Sequence, residues 1–368
     1  MEKESAQLIQ SWFRDQVIVI TGGAGSVGQE LVRQLIPSGP AEIRILDNNE
    51  SELFLMSEKY RSHNNVTSYL GDVRDAQKIN TVVRGCDIIL HCAAYKHVYF
   101  SEYNPFEAVQ TNIIGGKNVI EAAIGSGTKL LIFTSSDKAV NPTSVMGTSK
   151  LMSERLISAA NVVRHDQRQR FSSVRFGNVI GSRGSVFHVF SEQIRKGGPV
   201  TVTDPNMTRF IMSLERAGQL VLHGAAIARG GEVMVTKMQV INIMDLAQAM
   251  IEFIAPQYGH DPANIEIRII GVKAGEKMYE ELISQEEMGR SLELKEMFII
   301  LPAFRAIYHE IDYAYAEATG QRVTQPYNSA QEPPMSKAEI KEFLVKNKLF
   351  PIGGSLDSGS ESQEPCVS

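Results

Sequence analysis

The 368 residues include 43% hydrophobic and 21% charged residues, a balance typical of a globular chain long enough for one large α/β unit with an appended lobe. The formal net charge of −5, without a long basic block, argues against a nucleic-acid-binding surface. Cys86, Cys92 and Cys366 form neither a CxxC pair nor a metal-ligand spacing, so we expect a reducing compartment and neither disulfide nor metal. With no signal-like N-terminus and no apolar run near the roughly 20 residues of a membrane span, the sequence predicts a cytoplasmic protein without membrane insertion.

Short apolar runs alternate with helix-like periodicity between residues 16 and 180. Continuous apolar strands separated by helices are typical of a parallel sheet that is buried on both faces. The sequence therefore predicts an α/β fold with a doubly wound parallel (Rossmann) sheet, preceded by an N-terminal extension at 1–15. The predicted strands are 17–21, 43–47, 66–71, 87–93, 130–136 and 172–176.

The alternation loosens after about residue 181, which predicts a smaller C-terminal substrate-binding lobe at 181–350. A helix near 336–347 follows a proline-bearing stretch, and the polar segment 351–368 is typical of a flexible tail. Helices are predicted near 185–196, 213–228 and 243–254, and strands near 200–203, 233–237 and 266–270.

The segment TGGAGSVG at 21–28 follows the first predicted strand and opens the first helix. Its glycine spacing allows a tight turn and a close approach of the backbone to a pyrophosphate, which the helix N-terminus also attracts. The pattern makes 16–180 the NAD-binding domain. The predicted cofactor contacts are Thr21, Gly22, Gly25, Ser26, Val27 and Gly28.

Asp47 ends the second predicted strand, where a carboxylate accepts hydrogen bonds from the adenosine ribose and repels a 2′-phosphate. Asn48 follows it, and no Arg or Lys is adjacent, so the sequence favours NAD over NADP. The alternative is that Asp47 only caps a turn. Four more cofactor contacts are predicted at the ends of the third and fourth strands: Asp72, Val73, Ala93 and Ala94.

The segment SSDKAVNPTSVMGTSK at 135–150 follows the fifth predicted strand. Together with AAYKHV, GNVIGSRGS, MTRFIM and GVKAGEK, it resembles the extended short-chain dehydrogenase/reductases. More narrowly, it is similar to bacterial UDP-N-acetylglucosamine 4,6-dehydratases of the capsular-polysaccharide type, in a variant with Met-x-x-x-Lys. The resemblance spans residues 16–302 and implies a nucleotide-sugar lyase that uses NAD.

The resemblance implies oxidation at C4 of the sugar, removal of the C5 proton with loss of the C6 hydroxyl as water, and hydride return to C6. Asp137 is then the acid at the C6 hydroxyl and Lys138 the base at C5. These roles require a raised pKa for Asp137 and a lowered pKa for Lys138, both of which burial favours. Lys150 is expected to hold the nicotinamide ribose.

Met146 occupies the position of the tyrosine that deprotonates the C4 hydroxyl in other members, and a thioether carries no proton. The proton must pass through Ser136, to Asp137, or to water held by Lys150. We therefore predict a working enzyme in which Met146 packs beside the nicotinamide.

The resemblance also implies residues that bind a UDP-sugar, with donors suited to the diphosphate and uridine in GNVIGSRGS. Lys273 stands where the family has Arg, which weakens the expected two-pronged phosphate contact. The predicted substrate contacts are Lys96, Asn178, Arg183, Ser185, Thr203, Arg209, Lys273 and Glu276.

Two other functions remain open at this point. A UDP-hexosamine 4-epimerase would use the same fold and cofactor but has no need of Asp137 and Lys138. A non-catalytic NAD-binding regulator would bind the dinucleotide without turnover. The sequence leaves open the configuration at C5, the downstream pathway and the oligomer, for which the resemblance implies a homo-oligomer of two or more chains.

Overall fold

The computed structural model describes residues 2–182, 185–272, 275–304, 311–347 and 349. The predicted tail at 351–368 lies outside the described residues. Among the described residues, no helix has both the length and the apolar character needed to cross a membrane. Within the same part of the chain, no group of three or more His, Cys, Asp or Glu side chains is arranged to hold a metal ion.

A large sheet forms the centre of the molecule, and seven of its described strands run parallel in the order β3-β2-β1-β4-β5-β6-β10. This confirms the predicted doubly wound sheet. The chain order reverses between β1 and β4, which is where open α/β sheets bind ligands. The strands are β1 (Val17–Thr21), β2 (Glu42–Asp47), β3 (Val66–Leu70), β4 (Ile88–His91), β5 (Leu130–Ser136), β6 (Arg170–Phe176) and β10 (Val233–Thr236).

The central strands are short and apolar, and β4 and β10 are buried at every residue. Helices cover the sheet and join the strands, with the side chains of Leu31 and Ile120 among those buried against it. A π-helical segment, Val109–Ile114, leads into α7. The helices are α1 (Glu2–Phe13), α2 (Ser26–Leu35), α3 (Glu50–Lys59), α4 (Ala76–Val82), α5 (Val98–Tyr103), α6 (Pro105–Ala108), α7 (Gly115–Ser126), α8 (Val145–Val163), α9 (Val186–Arg195), α10 (Leu214–Ile227), α11 (Ile243–Ile254), α12 (Gln285–Met288) and α13 (Lys337–Lys346).

Three further strands extend the large sheet beyond β10 and pair antiparallel, in the order β15-β14-β16. Smaller sheets pair β11-β9-β7, β12-β8 and β13-β17. The strands are β7 (Asn178–Ile180), β8 (Val200–Val202), β9 (Thr208–Ser213), β11 (Gln239–Asn242), β12 (Ile267–Ile269), β13 (Glu281–Ile283), β14 (Ser291–Leu294), β15 (Met297–Ile300), β16 (Ala318–Arg322) and β17 (Tyr327–Asn328).

One strand differs from the sequence prediction, and the N-terminal extension is helical. The strand predicted near 233–237 within the smaller lobe is present as β10, but it pairs with β6 and so belongs to the large sheet. The N-terminal extension contains helix α1, whose Phe13 is fully buried in the same core as β1. Neither placement is visible in a local pattern, because each depends on which distant strand or helix the segment meets.

Arg175 on β6 links three elements through buried ion pairs. Its guanidinium donates to Glu154 on α8 at 2.7 and 3.0 Å and to Glu287 on α12 at 3.0 Å. It also donates to the Leu282 carbonyl at 2.8 Å. Burial would raise the pKa of Glu287, but Arg175 outweighs that effect and lowers the pKa to about 2.

We expect the Arg175→Met variant to be less stable by about 3–5 kcal/mol, because it leaves two buried carboxylates without their partner. The measurement is urea unfolding of the variant and the wild type. Arg168→Met, which removes an 89% exposed side chain paired with Asp166, is the matched control and should change nothing measurable. If Arg175→Met lowers the free energy of unfolding no more than Arg168→Met does, this account of Arg175 is contradicted.

Candidate functional site

A cavity of about 1430 Å³ opens at the carboxyl ends of the parallel strands, beside residues of the smaller sheets. Pockets for a single small molecule commonly hold about 300–1,000 Å³, so this cavity has room for two ligands. The structure brings together here every described residue that the sequence predicts for the site, except Thr21. They are Gly22, Gly25, Ser26, Val27, Gly28, Asp47, Asn48, Asp72, Val73, Ala93, Ala94, Lys96, Ser136, Asp137, Lys138, Met146, Lys150, Asn178, Ser185, Thr203, Arg209 and Glu276.

The glycine-rich loop forms one wall of the cavity. Gly22 has φ +65°, and a Cβ atom there would lie 2.6 Å from Ala93 N. A Cβ at Gly28 would lie 2.5 Å from the Gly22 carbonyl oxygen. Helix α2 follows Gly25, which offers no side-chain cap, and the N-terminus of a helix attracts an anion through its amides and its dipole. The loop therefore has the shape and the donors that a pyrophosphate needs.

Thr21, a predicted cofactor contact, is not among the residues that line the cavity. Its side chain is fully buried, and Oγ1 lies 2.6 Å from Nδ1 of His91 on β4. Burial lowers the pKa of His91 to about 3, so the ring is neutral. The pair joins two neighbouring strands below the loop and has a structural role.

Asp47 contacts the glycine-rich loop as well as its own turn. Its Oδ2 accepts a hydrogen bond from Ala24 N at 2.9 Å, and its Oδ1 accepts from Asn49 N at 3.0 Å. The turn-capping alternative is thus part of the structure. A carboxylate oxygen has two lone pairs, so each can accept another bond from a ligand.

Asp72 is held as a carboxylate at the same end of the cavity. Hydrogen bonds from Arg74 keep its pKa below the usual range. Asn48 Nδ2 also donates to Asp72 Oδ2 at 3.2 Å. Asp72 can therefore act only as an acceptor here, in keeping with the predicted cofactor contact.

Besides Ser185, two residues of the cavity wall have a buried hydroxyl group without a hydrogen-bond partner among the described residues. Ser135 on β5 is 3% exposed and Thr111 is 8% exposed. A buried hydroxyl without a partner costs free energy, which a ligand that supplies the missing bond would recover. Neither residue was predicted, because a serine and a threonine carry no distinguishing pattern.

The predicted acid–base pair lies at the end of β5. Lys138 Nζ donates to Asp137 Oδ1 at 3.2 Å and to Oδ2 at 3.1 Å. Ser136 Oγ donates to Asp137 Oδ1 at 2.7 Å. The Asp137 side chain is 4% exposed, whereas that of Lys138 is 34% exposed and faces the cavity. The three side chains form one connected hydrogen-bonded group.

The pKa of Lys138 differs from the sequence prediction. Burial favours a lowered pKa, but the nearby charges of Asp137 and Glu280 outweigh burial and raise it above the ordinary value. Without a ligand the lysine is therefore an ammonium group paired with a carboxylate. A base at this position needs a change in surroundings before it can accept a proton.

Lys150 and Met146 lie one turn apart on α8. Lys150 is 6% exposed, and its Nζ donates to the Thr134 carbonyl at 3.1 Å and lies 4.7 Å from the Phe133 ring centre. Burial lowers the pKa of Lys150 to about 8. Met146 is 3% exposed and lines the cavity.

Asn178 has a different partner from the predicted diphosphate. Its Nδ2 donates to the Phe210 carbonyl at 3.0 Å and to both oxygens of Glu280 at 2.7 and 2.9 Å. Both amide hydrogens are engaged within the protein in the absence of a ligand. Glu280 also lines the cavity, and sequence reasoning missed it because its partners lie far away in the chain.

The remaining predicted substrate contacts surround the same end of the cavity. Arg209 Nη2 donates to Glu276 Oε1 at 3.2 Å. Ser185 stands at the N-terminus of α9, and its buried Oγ has no hydrogen-bond partner in the described part of the chain. Arg183 and Lys273 lie outside the described residues.

Curated relatives match this chain over most of its length. A Methanocaldococcus jannaschii protein named "Uncharacterized membrane protein MJ1061" is 44% identical, over 92% of this chain and 98% of that one. A Campylobacter jejuni UDP-N-acetylglucosamine 4,6-dehydratase (inverting) is 36% identical, over 90% and 97%. A Rickettsia typhi UDP-glucose 4-epimerase is 35% identical, over 90% and 96%.

Solved structures show the same fold. The X-ray structure of Pen from Bacillus thuringiensis is 39% identical, has a TM-score of 0.83, and covers 91% of this chain and 98% of that one. The dTDP-glucose 4,6-dehydratase DesIV from Streptomyces venezuelae, with NAD bound, is 22% identical and has a TM-score of 0.60, with coverage of 71% and 86%. The family model described as polysaccharide biosynthesis protein matches residues 18–302. The chain belongs to this polysaccharide biosynthesis family, a branch of the extended short-chain dehydrogenase/reductases.

Proposed function

We propose that the chain is a 4,6-dehydratase that converts UDP-N-acetylglucosamine to a UDP-4-keto-6-deoxy-hexosamine for a surface polysaccharide or glycan. The observation that carries the proposal is the Asp137–Lys138 pair, 3.1 Å apart at the wall of a two-ligand cavity. Elimination of water needs an acid and a base on one sugar, and these two side chains supply both.

The cavity fits a nicotinamide dinucleotide. The glycine-rich loop and the start of α2 would hold its pyrophosphate, and Asp47 its adenosine ribose. The free hydroxyls of Ser135 and Thr111, with Lys150 nearby, would hold the ribose and amide of the nicotinamide end. When bound, NAD⁺ would accept a hydride from C4 of the sugar and later return that hydride to C6.

We expect the protein to bind NAD more tightly than NADP by about tenfold or more, because Asp47 would repel a 2′-phosphate. Calorimetric titration with each dinucleotide measures the ratio. In Asp47→Asn the carbonyl oxygen can still accept a hydrogen bond, but the negative charge is gone. The ratio of NAD affinity to NADP affinity should therefore be smaller than in the wild type. Equal affinities in the wild type would contradict the role given to Asp47.

The Ser136–Asp137 hydrogen bond supports a route for the C4 proton that does not need a tyrosine. Ser136 Oγ already donates to Asp137 Oδ1 at 2.7 Å. As the C4 hydroxyl is oxidised, Ser136 accepts its proton and passes its own to Asp137. Asp137 therefore begins as a carboxylate and becomes the acid that the next step requires.

In the elimination, neutral Lys138 removes the C5 proton and Asp137 returns its proton to the departing C6 hydroxyl. Lys138 then protonates C5 as hydride reaches C6. The balance closes, because the C4 hydroxyl proton leaves with the water and each side chain ends in its starting form. A bound sugar would displace water from the 34% exposed Lys138 and favour its neutral form.

A 4-epimerase is the second candidate, since one relative carries that name at 35% identity. An epimerase returns hydride to C4 and leaves the mass of the sugar unchanged. Mass spectrometry after incubation with UDP-N-acetylglucosamine and NAD separates the two. Loss of one water supports the dehydratase, whereas an isomer of unchanged mass supports the epimerase and excludes our proposal. NAD binding without conversion supports a regulator instead.

A further inference from the structure

Glu280 is a buried carboxylate in the cavity wall with no role in the proposed chemistry so far. It precedes β13 and is 5% exposed. Its Oε2 accepts from Phe210 N at 2.8 Å, and both of its oxygens accept from Asn178 Nδ2. These bonds come from β7 and β9, so the smaller sheets fix the position of the carboxylate.

The charged groups around Glu280 come from three parts of the chain. Asp137 and Lys138, which follow the end of β5, line the same cavity as Glu280, and their charges act on it. Arg209 Nε on β9 lies 3.4 Å from Glu280 Oε1. Lys277, three residues before Glu280 in the chain, lines the same cavity. Burial, reinforced by repulsion from Asp137, raises the pKa of Glu280 to about 7.

We propose that Glu280 is a positioning residue that sets the charge of the Asp137–Lys138 pair by gaining or losing a proton of its own. Ionised Glu280 attracts the Lys138 ammonium and keeps the base protonated. Protonated Glu280 withdraws that attraction, so Lys138 can release its proton through the open side of the cavity. The consequence for catalysis rests on the proposed dehydratase function, but the proton on Glu280 does not.

The geometry explains why this position suits the task. Glu280 interacts with Asp137 and Lys138 electrostatically and not by a hydrogen bond, since its own hydrogen bonds come from Asn178 and Phe210. A change in its protonation therefore leaves the Ser136–Asp137–Lys138 contacts in place. The positive charges of Lys138 and Arg209 limit how far burial can raise the pKa of Glu280, which keeps the proton exchangeable near neutral pH.

The first test measures stability against pH without substrate. A carboxyl whose pKa is raised on folding favours the folded state below its unfolded pKa, and this advantage is lost as pH rises through about 7. Glu280→Gln has no proton to lose. From pH 5 to 8 its melting temperature should therefore rise relative to wild type by about 3 °C or more.

The matched control is Glu281→Gln, which alters the neighbouring carboxylate that accepts from Asn141 Nδ2. Its melting temperature should keep the wild-type pH dependence. If the melting temperatures of Glu280→Gln and the wild type change in the same way from pH 5 to 8, Glu280 carries no exchangeable proton and the inference is overturned. This outcome is independent of any enzymatic activity.

The second test is the pH profile of turnover. Without the charge of Glu280, Lys138 holds its proton less tightly, so the acidic limb of the profile in Glu280→Gln should move about one unit lower. Glu280→Asp should restore the wild-type limb. An unshifted limb in an active Glu280→Gln enzyme would overturn the coupling to Lys138. If the wild type shows no dehydratase activity but Glu280→Gln shows the expected change in melting temperature with pH, the result counts against the proposed dehydratase function and not against the proton on Glu280.

If Glu280→Gln does not fold, infrared spectroscopy of wild-type protein with labelled glutamate replaces the first test. We expect a protonated carboxyl band that disappears with a midpoint near pH 7. Its absence at pH 6 would overturn the inference.

Discussion

The Lys138→Met variant is expected to oxidise the sugar at C4 and then to stop, with elimination slowed by about 10²–10⁴-fold. A positioned base contributes that much to a proton transfer, and Met cannot accept a proton. The first step uses Ser136 and Asp137, whose 2.7 Å hydrogen bond does not involve Lys138. Single-turnover absorbance of the reduced nicotinamide, followed by mass spectrometry, separates the two steps.

Asp137→Asn is the partner experiment and should fail earlier. An amide cannot take the proton that Ser136 passes on, so reduced nicotinamide should not accumulate at all. Both variants should retain bound NAD, which shows that the fold and cofactor site are intact. If both variants stop at the same step, the Ser136 relay is wrong.

The Gly22→Ala variant is expected to lose NAD affinity by about 100-fold or more. Gly22 has φ +65°, where L side chains are strained, and the added Cβ would lie 2.6 Å from Ala93 N. Two backbone segments would have to separate, and they form the wall that would hold the pyrophosphate. Calorimetric titration with NAD is the measurement.

Gly125→Ala is the matched control. Gly125 lies in α7, and a Cβ there meets nothing within 4 Å. This variant should bind NAD like the wild type and gain up to about 1 kcal/mol of stability from the better helix residue. If Gly22→Ala binds NAD as tightly as Gly125→Ala, the loop is not the pyrophosphate site.

The parallel sheet could be predicted because most of its first six strands contain a run of aliphatic or β-branched residues long enough to recognise. Strands β7, β9 and β11 could not, since each has only two or three consecutive apolar residues, which become a strand only when a distant partner is present. Strand β10 was recognised but assigned to the lobe. Its pairing with β6 is a property of the tertiary structure.

The candidate site divides in the same way. Asp137, Lys138 and the glycine-rich loop lie within continuous motifs, so spacing and resemblance could locate them. Glu280 meets Asn178 across 102 residues, and nothing local distinguishes it from the adjacent Glu281. The Thr21 side chain contacts His91 instead of lining the cavity, because the side chain at a strand end can lie on either face of the sheet.

The raised pKa of Lys138 changes what the acid–base pair implies. An ion pair is the wrong starting state for a base, so catalysis depends on the ligand that removes water from the lysine. This dependence also makes the charge of Glu280 relevant to the rate.

The most direct test of the dehydratase is NMR and mass spectrometry of UDP-N-acetylglucosamine incubated with the protein and NAD in deuterated water. The account predicts loss of one water and solvent deuterium at C5, because in deuterated water the Lys138 amine carries deuterons before the sugar binds and can return one of them to C5. The C5 couplings then give the configuration. A product of unchanged mass with the galacto configuration, or an unaltered sugar with NAD demonstrably bound, would contradict the account.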